Sequence, residues 1–246
     1  MNLKNSAKLL RLPFIKLMVI SIFLMSFQQA LSQNDDNINS RDILYLTTGG
    51  KLQPLQAIMD IRHYSISLEV DIAKQSISGS TEVSMNLSKK TDTILLDLIH
   101  LYKVTKIKVN NKPTPFYQHD DKIFITSTTG FDIGNQKVVV EYNGIPPVAI
   151  KPPWDGGFTW KKDSAGYDWV SINIQAEGGK MYFPCKDHPS DEPNEGAELI
   201  ITVPKGLVVA GPGLLHPQRR HPADPRGTDG LPSPAGAICR GACGVR

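Results

Sequence analysis

The stretch His63–Leu87, "HYSISLEVDIAKQSISGSTEVSMNL", decides the fold. Its first half alternates apolar and polar residues, so an extended chain carries Tyr64, Ile66, Leu68, Val70 and Ile72 on one face. The alternation resumes at Val83, Met85 and Leu87, after a Gly79 that the pattern reads as a bulge or bend. Period two, rather than 3.6, argues for half-buried strands.

Short runs of the same kind follow: 93–98, 103–109, 113–117, 122–127, 137–143, 167–174, 197–203 and 206–211. The segments between them, "NNKP", "HDD" and "TTGFDIGN", are rich in turn residues. No convincing amphipathic helix interrupts the series. The pattern predicts an all-β fold, an antiparallel β-sandwich or saddle.

The 246 residues divide unevenly. Residues 1–32 read as a signal peptide: Lys4, Lys8, Arg11 and Lys16 are followed by an apolar run of 11 residues, 17–27, and by "ALS" before Gln33. Such a run is short of the roughly 20 residues that span a bilayer. The expectation is an exported protein, periplasmic or extracellular, with no stable membrane span after cleavage. Residues 33–52 read as an exposed linker and 53–211 as the β domain. Residues 212–246 form a Pro/Gly/Arg-rich tail without strand or helix periodicity, read as aberrant or disordered. The 19 Lys and three Arg before this tail give way to five Arg and no Lys within it.

Charge excludes one class of partner. The formal net charge of +3 falls to −1 without the four basic residues of 1–32, and the tail's five Arg and two Asp contribute +3 of what remains. The body is therefore near −4, which is no nucleic-acid footprint. Cys185 stands alone in the body, and the C-x3-C pair of Cys239 and Cys243 is a weak signal for metal or disulfide.

Chemistry concentrates in 146–193. The segment "KPPWDGGFTWKKDSAGYDW" (151–169) holds Pro152, Pro153, Gly156, Gly157 and Gly166, which argues against a regular helix or central strand. Beyond it, Gln175 and Glu177 precede Gly178 and Gly179, and a polar cluster follows: Lys186, Asp187, His188, Asp191 and Glu192. By spacing alone two readings stay open. One is a strand, a Gly turn and a loop whose charges pair with one another. The other is a rim on which Gln175 and Glu177 offer oxygens to a cationic group.

"PPWDGGFTW" (152–160), "QAEGG" (175–179), "FPCKDHPSDEP" (183–193) and "HYSISLEVDIAKQSISGST" (63–81) resemble, in order, the N-terminal domain of gluzincin metallo-aminopeptidases, the aminopeptidase N and leukotriene hydrolase type. The resemblance covers about residues 53–211. It implies a β-saddle forming one wall of an active-site cleft. It implies that Gln175 helps hold the free α-amine of a peptide substrate by a charge-assisted hydrogen bond, with Glu177 and Gly178 on the same wall. Asp187 is expected to be structural, and Lys180 stands where many members carry Arg.

The family's zinc is bound by H-E-x-x-H and a later Glu. None of the six His (His63, His100, His119, His188, His216 and His221) is followed by Glu. The G-x-M-E-N loop is absent too. The zinc of the parent family thus has no ligands here, no catalytic residue can be named, and a catalytic domain is expected as the missing partner. The alternative expectation is a secreted, non-catalytic β-sandwich that binds peptide, glycan or protein through Trp154, Trp160 and Trp169.

Overall fold

The structure, a computed structural model, describes residues 50–174 and 177–216 together with the strand 235–241. The signal-peptide reading and most of the linker, 33–49, lie outside the described residues.

One helical turn, α1 (Pro54–Ala57), leads into β1 (Met59–Asp71), and β2 (Ser76–Leu87), β3 (Thr91–Asp97) and β4 (Tyr102–Val109) follow. Next come β5 (Lys112–Pro113), β6 (Phe116–His119), β7 (Lys122–Phe131) and β8 (Gly134–Gly144). The chain then forms β9 (Gly157–Lys162), β10 (Asp168–Asn173), a 3-10 turn (Gly179–Met181), β11 (Ala197–Val203), β12 (Leu214–His216) and β13 (Ala235–Gly241). The large sheet runs β12-β13-β11-β1-β2-β8-β4-β5. A three-stranded sheet, β3-β7-β6, and a two-stranded one, β10-β9, complete the fold.

The alternation read from the sequence is the core. Tyr64, Ile66, Leu68 and Val70 of β1 are buried beside Val83, Met85 and Leu87 of β2, and Ile94, Leu96, Ile123 and Ile125 of the smaller sheet join the same cluster. Burying such a side chain contributes roughly 1.5–3 kcal/mol, so two sheets sharing one core make an all-β sandwich. Upstream, Met59 and Ile61 are also buried although they lie on the other parity. A break in the β1–β2 register between Ile61 and His63 absorbs the extra residue and keeps both sets inward.

Gly79 is not at that break. It pairs in register with Leu68 on one side and Tyr142 on the other, so the expected bulge at this position is corrected. A Cβ there would lie 2.8 Å from Cζ and Oη of Tyr142 and 2.9 Å from Cδ2 of Leu68. Glycine is present because a Tyr ring crosses its strand.

Both tight turns follow their composition. Asn110 and Asn111 link β4 to β5, and Asp120 and Asp121 link β6 to β7; all four have positive φ, between 46° and 66°. Two-residue loops with both residues left-handed match the twist of hairpin strands, and Asn and Asp tolerate that region.

Four expectations change. β11 pairs with β1 in parallel, so the large sheet is mixed rather than purely antiparallel. Residues 206–211 form no strand; Gly206 at φ 99° turns the chain just after β11. Within 151–169 a hairpin forms, β9 with β10, because the Pro residues end before Gly157. The tail, read without regular elements, supplies β12 and β13, and β13 pairs antiparallel with β11 along Ala197–Val203. Backbone groups on the open side of β11 accept a strand whatever its side chains, which is why composition gave no warning.

Candidate functional site

Two irregular segments lie against each other beside the β9–β10 hairpin. The first is 146–156. Its entry is tied to β9, with the Phe158 N–H donating to the Pro147 carbonyl at 2.7 Å and the Ala149 N–H to the Phe158 carbonyl at 3.0 Å. Pro152–Pro153 is cis. The Trp154 N–H donates to the Lys151 carbonyl at 2.9 Å, and the Asp155 carboxylate accepts from the Lys151 N–H at 2.8 Å. From β10, the Asn173 side-chain amide donates to the carbonyls of Pro153 and Asp155. The turn that composition marks as irregular is held at both ends.

Its aromatic residues divide. Trp154 and Trp169 are 71% and 59% exposed. Trp160 is not part of such a surface: it stacks on Phe158, with centroids 5.6 Å apart and planes at 17°, and packs against the core. The expected three-Trp surface is corrected to two, since strand alternation turns Trp160 inward opposite Val170.

The second segment is 177–191. Gln175 lies outside the described residues, as does Ala176. Glu177 and Gly178 begin the described part, both donating backbone N–H groups to the Ile174 carbonyl, at 3.3 and 3.0 Å. Gly178 has φ 80° and ψ −176°, a conformation that suits glycine. Glu177 is buried, with 3% of its surface exposed, and its Oε2 has no hydrogen-bond partner. Burial pushes its carboxyl above the usual range, and nearby Asp155 adds to the effect; the backbone of Gly156 and its own backbone oppose it. The structure therefore places Glu177 beneath Gly156 and the Trp-bearing turn, not on an open rim.

Buried polar groups fix this segment to the sheets. The hydroxyl of Tyr102 donates to the Met181 carbonyl at 2.8 Å, and that of Tyr142 to the Tyr182 carbonyl at 2.7 Å. Asp97, at the end of β3, exchanges backbone hydrogen bonds with Cys185 at 2.7 and 3.0 Å. Its carboxylate accepts from Gln56 Nε2 at 2.5 Å and from the Asp187 N–H at 3.0 Å. Burial raises the Asp97 carboxyl above its usual range, opposed by those two hydrogen bonds and by the charges of Lys122 and Lys180. Asp187 accepts from the Gly179 N–H at 3.2 Å, and its other oxygen lies 3.7 Å from Nζ of buried Lys180. Lys186 Nζ donates to the Met59 carbonyl at 2.6 Å and to Asp191 at 2.7 Å.

Two ion pairs thus form within the loop, Lys186 with Asp191 and Lys180 with Asp187. Asp187 is structural. Sequence gave no hint of Gln56, Tyr102 or Tyr142; each is an ordinary strand or helix residue until the fold brings the loop over it.

Among the described residues no group of three or more His, Cys, Asp or Glu could hold a metal ion. No helix among them is long and apolar enough to cross a membrane.

No protein-family model matches the chain. Solved structures do. The M1 zinc metallopeptidase of Deinococcus radiodurans bound to a Tyr-Ser-Ala substrate matches at 21% identity with a TM-score of 0.58, over 75% of this chain and 39% of its own. A two-domain M1 zinc metallopeptidase bound to L-tryptophan matches at 20% identity and a TM-score of 0.60, over 81% and 42%. Native yeast LTA4 hydrolase matches at 16% identity and 0.53, over 75% and 27%. The chain carries the fold of part of an M1 zinc metallopeptidase. It spans about two-fifths of the length of the Deinococcus enzyme. Among the described residues, the 146–156 and 177–191 segments are irregular pieces of chain held by hydrogen bonds to neighbouring strands.

Proposed function

We propose that this chain is the N-terminal, substrate-wall domain of an exported zinc metallo-aminopeptidase. The parent enzyme would hydrolyse peptide bonds from the N-terminus with zinc-activated water. The observation that carries this reading is the fold shared with part of a metallopeptidase seen with a bound tripeptide. The paired segments 146–156 and 177–191 suit a wall, because their backbones are held by the sheets rather than by a ligand. On this reading Gln175 holds the substrate α-amine, and Glu177 and Gly178 shape the turn beside it. Zinc, its ligands and the general base belong to the missing catalytic domain, so the chain by itself is inactive.

The test is to read the coding DNA through and beyond the codons for residues 205–246. A continuing frame that encodes a helix with H-E-x-x-H supports the reading. A confirmed stop with no such frame overturns it for this chain. The second reading, a secreted non-catalytic binding module for peptide, glycan or protein, then stands on exposed Trp154, Tyr167 and Trp169.

A further inference from the structure

Among the described residues several sheet edges are short or partly covered. The large sheet ends in β5 and β12, of two and three residues, and the small sheet ends in four-residue β6. The seven-residue β3, on the other edge of that sheet, is bridged at Asp97 by Cys185. β9 is bridged on its outer side by Val148. Short or covered edges are the usual defences against strand addition. β10 has neither: it is six residues long, and no described strand or bridge lies on its outer side.

We infer that β10 is a self-association edge, pairing antiparallel with β10 of a second copy about a two-fold axis at Ser171. The sequence "DWVSIN" complements itself in that register. A two-fold axis perpendicular to an antiparallel pair sets residues of equal parity opposite each other, so Ser171 meets Ser171, Val170 meets Ile172 and Trp169 meets Asn173 of the other copy. β-branched residues pair on the face where Val170 and Ile172 already lie opposite Trp160 and Phe158. No like charges are opposed. The strand's one charge, Asp168, is neutralised by Lys162 of its own hairpin at 2.8 Å. This inference is independent of the metallopeptidase reading.

The test uses the full chain with Cys239→Ser and Cys243→Ser, leaving the buried Cys185. Sedimentation velocity should show a concentration-dependent dimer. Ser171→Cys, a near-isosteric change, should give a covalent dimer on mild oxidation, whereas Trp169→Cys, which faces Asn173 rather than itself, should not. Ser171→Lys sets two cations face to face and should raise the dimer dissociation constant at least tenfold. The inference is overturned by a chain that stays monomeric, by a dimer indifferent to Ser171→Lys, or by equal cross-linking through Trp169→Cys. A monomer that takes an extended peptide along β10 also overturns it.

Discussion

The position where a Cβ on residue 156 would sit lies 2.1 Å from Oε2 of Glu177, closer than any non-bonded contact allows. The glycine and the buried carboxylate are therefore one device: the absent side chain makes room for the carboxylate, and the carboxylate fills the space under the Trp-bearing turn. Gly156→Ala should displace Glu177 and cost about 1–3 kcal/mol, the usual range for overpacking a filled interior. In a Glu177→Ala background the same substitution should cost almost nothing. Urea unfolding of the four proteins of this cycle measures the coupling, and additivity would show that the two residues do not share the space.

The same carboxyl makes stability depend on pH. Its pKa is raised in the folded state, mainly by burial, as is that of Asp97. A carboxylic acid raised on folding binds its proton more tightly when folded, so its penalty is absent below the ordinary Glu value near 4.3 and grows as pH rises through the folded value. The contribution of these two groups should therefore make the domain more stable at about pH 4, near their ordinary values, than at pH 7. Glu177→Gln, neutral at both, should flatten part of that slope and raise the urea midpoint at pH 7. A midpoint that falls at pH 7 on this substitution would show the charged form to be favoured.

Local signals carried far here, and non-local ones did not. The period-two runs gave β1, β2, β4, β8 and β11, and the Asn110–Asn111 and Asp120–Asp121 turns were legible because their backbone shape is set by the residues themselves. The parallel pairing of β1 with β11 was not legible, because nothing in "AELIITV" specifies which distant strand it joins. Of the site, the Gly and Pro content of 151–157 marked a shaped turn correctly. The burial of Glu177 escaped notice, because it depends on a contact with Gly156 from another segment. The anchoring hydroxyls of Tyr102 and Tyr142 escaped for the same reason.

Gly79 shows how a residue type can be informative and its local meaning misleading. Its strand is regular at that point, and the constraint comes from the Tyr142 ring over it. Gly79→Ala should push that ring aside and disturb the hydrogen bond from the Tyr142 hydroxyl to the Tyr182 carbonyl. A loss of about 2–4 kcal/mol is expected, combining overpacking with a buried bond left unmade. Tyr142→Phe removes the hydroxyl alone and should cost less, on the order of 1 kcal/mol. If Gly79→Ala is no worse than Tyr142→Phe, the ring has room to move and the close-packing argument fails.

Lys186 and Asp191 form a buried pair whose spare valences are also used. Nζ reaches the Met59 carbonyl as well as Asp191, and Asp191 Oδ2 also accepts the Ile61 N–H at 3.0 Å. Both β1 contacts lie just before the register break, so the pair ties the 186–191 loop to the part of β1 that precedes its change of phase. Two charges taken out of water together add little net stability, but removing one strands the other. Lys186→Met should thus cost about 3–5 kcal/mol, leaving Asp191 buried without its cation. The double variant Lys186→Met/Asp191→Leu should recover a large part of that loss. Thermal unfolding of both at one pH separates the cases: equal losses would mean that the β1 contacts, and not the stranded charge, set the cost.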